Sequence, residues 1–118
     1  MKVTSYKDLN VWQKGLDIVD QIYALAQKLP TEERYGLAAQ MQRAAVSIPS
    51  NIAEGFVRRY RKEYAQHLYI ALGSCAELET QALIVRRRDF ITHAELEALQ
   101  EELDHESRMV MNLIKSLR

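Results

Sequence analysis

The stretch Arg43–Tyr64, RAAVSIPSNIAEGFVRRYRKEY, decides how many helices the chain has. Ahead of Pro49 the apolar positions are Leu37, Met41, Ala44 and Ile48, and after it Ile52 and Phe56. The helical phase therefore carries across the proline. A proline inside a helix removes one backbone hydrogen bond, and its ring meets the carbonyl four residues back, here that of Ala45. The spacing predicts one Pro-kinked helix rather than two helices and a loop. Ser47, Ser50 and Asn51 can offer hydrogen bonds to the freed groups. Gly55 suits a left-handed cap, so the helix is expected to end near it.

The flanking segments are helical too. Trp12, Leu16, Val19, Tyr23 and Ala26 recur at helical spacing and predict one buried face, with Asn10 and Gln13 as a start signal and Leu29-Pro30 as a stop. Thr31 can cap the next helix, with Glu32 and Glu33 beside its positive end. Tyr64, Leu68, Ala71, Cys75, Leu78, Ala82 and Val85 form the most regular stripe, interrupted in propensity only by Gly73-Ser74. A tight helix crossing is expected there. Thr92 and Glu95 have the spacing of a capping box, ahead of Leu96, Leu99, Leu103, Val110, Leu113 and Leu117, with Glu106 interrupting. No segment alternates like a strand. The expected fold is all-α: one domain, an antiparallel up-down-up-down four-helix bundle with helices near 10–29, 32–56, 61–88 and 93–117.

Composition agrees. With 47% hydrophobic residues, four glycines and two prolines, the chain should fold, and it has too few turn formers for a sandwich or barrel. The single cysteine, Cys75, excludes an internal disulfide and fits a reducing compartment. No apolar run approaches membrane-spanning length, and residues 1–20 are broken by Lys2, Lys7, Asp8, Lys14, Asp17 and Asp20. The expectation is a cytoplasmic protein without a membrane partner. Net charge is zero, yet residues 1–88 carry +4 and residues 89–118 carry −4. Such a chain can attract a polyanion at one place while neutral overall.

QMQRAAVSIPSNIAEG (Gln40–Gly55), RKEY and YIALGSCAELETQ (Tyr69–Gln81), with YKDLNVWQKGLDIV and LPTEERYGL before them, closely resemble the four-helix bundle proteins encoded in intervening sequences of bacterial 23S rRNA genes. The resemblance covers nearly the whole chain. That family is similar in architecture to the accessory variability protein of diversity-generating retroelements, a barrel-shaped homopentamer that binds nucleic acid and a reverse transcriptase. The similarity implies a homo-oligomer, a pentamer or other ring, and a nucleic-acid partner. Two positions depart from the family pattern: Tyr60 stands where members often carry serine, and Val57 where they often carry glycine.

Arg58, Arg59, Arg61 and Lys62, interleaved with Tyr60 and Tyr64, form the densest cationic cluster. Arginine forks can hold phosphates and tyrosine faces can stack on unpaired bases; the plain alternative is a solvated joint between helices. Arg86, Arg87 and Arg88 complement the negative end of their helix, which is reason enough for them. Arg43, Ser47, Asn51 and Glu54 make a polar stripe that includes Pro49 and ends at Gly55. It reads as a binding site, a subunit interface, or a network securing the kink with Arg43 paired to Glu77 or Glu79. Enzyme chemistry finds little support. Glu102 and His105 supply one half of a di-iron motif, so no metal and no cofactor is expected. Arg61 and His67 fit only loosely the spacing of the all-helical HEPN ribonucleases. Cys75 sits on an apolar stripe. The sequence reads as a non-enzymatic, oligomeric RNA-binding module, with a protein-interaction scaffold as the alternative and the ribonuclease a more distant third.

Overall fold

The computed structural model describes residues 3–118; Lys2, one of the charges noted near the start, lies outside them. Among the described residues there are four α-helices, α1 (Asn10–Ala26), α2 (Leu37–Phe56), α3 (Arg61–Arg87) and α4 (His93–Ser116), two short 3-10 turns and no strand. Pro49 lies inside α2, which runs unbroken across it as the apolar phase requires. Contacts between helices pair rising with falling residue numbers. Ser47 meets Ser74 and Asn51 meets His67 across α2 and α3, while Gly15 lies against Glu106 across α1 and α4, and Lys28, just past α1, meets Glu95 of α4. The core is apolar, with Ile18, Ile22, Met41, Ile48, Ile52, Leu68, Leu78, Leu99 and Leu103 fully enclosed.

The start of α4 follows the sequence. Glu95 N–H donates to Thr92 Oγ1 at 3.1 Å, and Thr92 N–H donates to Glu95 Oε1 at 2.8 Å. The Lys28 ammonium and then the Thr92 amide hold the Glu95 carboxyl far below its usual range, at about 2. Other boundaries differ from expectation. Asn10 is the first residue of α1 rather than its cap, and Gln13 donates to the Lys7 carbonyl instead of closing a box. Thr31 opens a 3-10 turn, not α2; the chain leaves helical dihedrals at Gly36 (φ −109°, ψ −108°) and restarts at Leu37. Gly55 is not a left-handed cap, since no glycine has positive φ. The left-handed residue is Asp89 (φ 61°), just past α3, where Phe90 N–H bonds the Val85 carbonyl and Asp89 N–H that of Arg86. These two bonds satisfy the last carbonyls of the helix.

The face of α1 is rotated from the expected one. Val11, Gly15, Ile18, Ile22, Leu25 and Ala26 are buried; of the expected face, Ala26 is thus in the core and Trp12 and Val19 pack against it, while Leu16 and Tyr23 are 40% and 45% exposed. Gly15 allows the close pass: a Cβ there would stand 3.2 Å from Pro49 Cβ and 3.3 Å from Glu106 Oε2. Helix α3 is apolar on more than its buried side. By length and composition it could cross a membrane, contrary to the sequence expectation, although 44% of its apolar window is buried inside the bundle.

Candidate nucleic-acid interface

The joint between α2 and α3 is short because Gly55 lets the helices close on one another. A Cβ at Gly55 would stand 2.8 Å from His67 Cβ, 3.0 Å from Tyr64 Cδ1 and 3.1 Å from the Tyr64 carbonyl oxygen. Glycine is thus required here by close approach rather than by backbone sign. Aromatic rings lock the same end: Tyr6 meets Trp12 edge-on with centroids 5.3 Å apart, Phe56 meets Tyr6 at 6.4 Å, and Tyr64 meets Phe56 at 6.0 Å. Burial raises the Tyr64 hydroxyl above its usual range. Its ring is therefore engaged in packing, which leaves Tyr60 as the exposed aromatic of the cluster.

Tyr60 is the N-cap of α3 and makes no side-chain capping bond, consistent with tyrosine where serine would have served. The Arg59 guanidinium lies over its ring, 5.6 Å from the centroid, as a cation–π pair. Arg58 is held by Glu54 at 3.1 Å across one helical turn. Arg59, Arg61 and Lys62 are exposed and form no ion pair within 4 Å among the described residues. They surround the first turn of α3, where the unpaired N–H groups and helix dipole favour anions. The other cluster sits at the opposite, negative end of the helix: Arg86 binds Asp89 at 3.0 Å and reaches the Ile91 carbonyl, while Arg87 and Arg88 are exposed and, among the described residues, also form no ion pair within 4 Å.

Behind the joint the middle of the polar stripe, Ser47 and Asn51, lies half-buried along the α2–α3 seam, while Glu54 at its end is exposed. Asn51 Nδ2 donates to the Ser47 carbonyl and to Ser47 Oγ, Ser74 Oγ donates to Ser47 Oγ at 2.9 Å, and His67 Nδ1 lies 3.0 Å from Asn51 Oδ1. Arg43 is exposed and borders a groove with Glu77 instead of pairing with it or with Glu79. His67 and Ser74, both absent from the expected stripe, link it to α3. The signal that could have found His67 is that Asn51 and His67 both flank apolar stripes on consecutive helices.

Elsewhere the chemistry is spoken for. Glu102 pairs with Lys14. Burial pushes the Cys75 thiol up to about 12, with the Ser107 hydrogen bond pulling the other way, so it is no thiolate at neutral pH. Glu106 is fully buried, neither carboxyl oxygen has a hydrogen-bond partner, and burial raises it to about 8 against the pull of Lys14. Among the described residues no three His, Cys, Asp or Glu side chains are grouped to hold a metal.

The sequence profile of the 23S rRNA-intervening sequence proteins matches residues 7–112. No curated protein matches the chain. Among solved structures it is similar to a protein with unknown function from the S23 ribosomal protein family of Bacteroides thetaiotaomicron VPI-5482. The two superpose with a TM-score of 0.82 at 25% identity, over 89% of this chain and 95% of that one.

Proposed function

The chain belongs to the 23S rRNA-intervening sequence protein family, and from that premise we propose that it is a non-enzymatic RNA-binding bundle whose contact surface is the joint Arg58–Lys62. One observation carries the reading: Arg59, Arg61 and Lys62 stand exposed and, among the described residues, without carboxylate partners around Tyr60 and the positive end of α3. Phosphates supply the charge these cations lack, and an exposed tyrosine offers a face to an unpaired base. The test is fluorescence anisotropy of a labelled structured RNA across a salt series. The wild type is expected to bind at low salt and weaken steeply as salt rises. Arg58, Arg59 and Arg61 changed together to alanine should weaken binding at least about tenfold and flatten the log–log salt slope by about 2. No binding by the wild type at low salt would refute the reading.

We further propose that copies of the chain associate. Tyr69, Ile70, Leu83 and Ile84 on the outer side of α3 are 48%, 50%, 52% and 41% exposed. Gly73 lies among them with nothing within 4 Å of where a Cβ would sit, so packing within the chain does not call for glycine there. Leu16, Tyr23 and Val46 form a second apolar face on α1 and α2. Two different apolar faces on one chain favour head-to-tail association, which closes into a ring when the rotation allows. Light scattering should give a mass well above 13.7 kDa, and Leu83→Glu with Ile84→Glu should bring it down to the monomer. A wild-type monomer at micromolar concentration would contradict this. If the protein associates and binds no RNA, the assembly is better read as a docking scaffold for a protein partner.

A further inference from the structure

The seam behind the joint holds an ordered histidine, and the role inferred for it rests on the joint being a nucleic-acid surface. Asn51 Nδ2 donates to the Ser47 backbone carbonyl at 2.9 Å and to Ser47 Oγ at 3.0 Å. A carbonyl only accepts, so the amide is fixed in one orientation and its oxygen faces His67. That oxygen also only accepts. The His67 nitrogen 3.0 Å away, Nδ1, therefore carries the hydrogen. In the neutral imidazole the lone pair then belongs to Nε2. Nε2 has no protein partner among the described residues and is not one of the buried unpartnered atoms; the side chain is 17% exposed. It opens to solvent.

Glu54 ties this ring to the joint. One of its oxygens binds Arg58 Nη2 at 3.1 Å and the other lies 3.9 Å from His67 Nδ1, so the arginine and the imidazole share one carboxylate. Ser74 Oγ donates to Ser47 Oγ at 2.9 Å, so that Ser74, Ser47, Asn51 and His67 form one hydrogen-bonded chain along the α2–α3 seam. The ring is ordered before any ligand arrives, which lowers the entropic cost of using it.

Cations alone treat RNA and DNA alike, because both present phosphates. An accessible acceptor beside them is what a ribose hydroxyl can use. We propose that His67, held in its Nδ1–H tautomer by Asn51, accepts a hydrogen bond through Nε2 from a 2′-hydroxyl, so that the joint selects RNA over DNA.

Three labelled probes test this by anisotropy: a single-stranded RNA of mixed sequence, the DNA of the same sequence, and the same RNA with 2′-O-methyl groups, which keep the phosphates and remove the donor. The wild type is expected to bind RNA about three- to tenfold tighter than either analogue, the effect of one hydrogen bond. His67→Ala should bind all three alike, at the wild-type affinity for DNA; that retained affinity shows the fold and joint intact. His67→Gln, whose carbonyl oxygen can accept at similar reach, should recover part of the preference. Equal wild-type affinity for the three probes, or a preference that survives in His67→Ala, overturns the hydroxyl contact and leaves the phosphate reading standing. No binding of any probe at low salt overturns both.

Discussion

At pH 8 a Glu106→Leu variant is expected to be more stable than the wild type by on the order of 3 kcal/mol, with the gain shrinking toward pH 5. Glu106 is enclosed among α1, α2 and α4, against Gly15 and near Pro49, and neither oxygen is hydrogen-bonded. Its folded value of about 8 stands above the ordinary 4.5. Between those values the unfolded chain has lost the proton and the folded chain keeps it. Folding therefore takes up a proton, and stability falls as pH rises from 4.5 to about 8 and then levels off. Leucine has no proton to take up and leaves no orphaned oxygen. Glu95, held low by Lys28 and Thr92, titrates below this window and does not disturb it. Urea midpoints of both proteins across pH 5–8 check the result. A difference between them that stays constant with pH would refute the assignment of the slope to Glu106.

The second large effect concerns two glycines of opposite character. Gly55→Ala should destabilise the bundle by about 2 kcal/mol, although alanine favours a helix by about 1 kcal/mol, because the new methyl meets a backbone carbonyl and the His67 Cβ. The same change should weaken RNA binding, since it pushes α3 and its basic first turn away from α2. Gly73→Ala meets no atom of its own chain and should stabilise the isolated fold by up to about 1 kcal/mol. Denaturation of both variants, with their masses measured alongside, separates the roles. Equal effects of the two changes would show that neither close approach nor openness decides.

The contrast between these glycines shows what a one-dimensional pattern carries. The α3 stripe is legible because Leu68, Ala71, Cys75, Leu78, Ala82 and Val85 are apolar, evenly spaced and buried, although the polar Ser74 and Gln81 are buried beside them. On α1 the large Trp12 and Tyr23 drew the expected face toward themselves. The true face turns on Gly15, which has no side chain to register as apolar and is buried because Pro49 and Glu106 press on it. In the sequence Glu106 reads as a polar interruption of the α4 stripe; the packing encloses it, and burial raises its carboxyl to about 8. The basic joint was visible as composition. The division of labour within it was not: Arg58 is paired, Arg59 lies on Tyr60, and Tyr64 is turned into an aromatic cluster. Ser47 and Asn51 stand one helical turn apart and show in the sequence, but their bonds to Ser74 and His67 join residues 27 and 16 apart, a pairing that periodicity does not give.

Two cationic clusters sit at the two ends of α3, roughly 40 Å apart at 1.5 Å per residue, and they allow one decisive comparison. The measurement is RNA affinity across a salt series for two triple variants, Arg58, Arg59 and Arg61 to alanine and Arg86, Arg87 and Arg88 to alanine, beside the wild type. The account predicts that the first variant loses affinity and slope while the second stays within about twofold of the wild type. Arg86 is already engaged by Asp89, and its neighbours only complement the end of the helix. Equal losses in both variants, or a loss confined to the second, would contradict the assignment of the joint as the RNA surface.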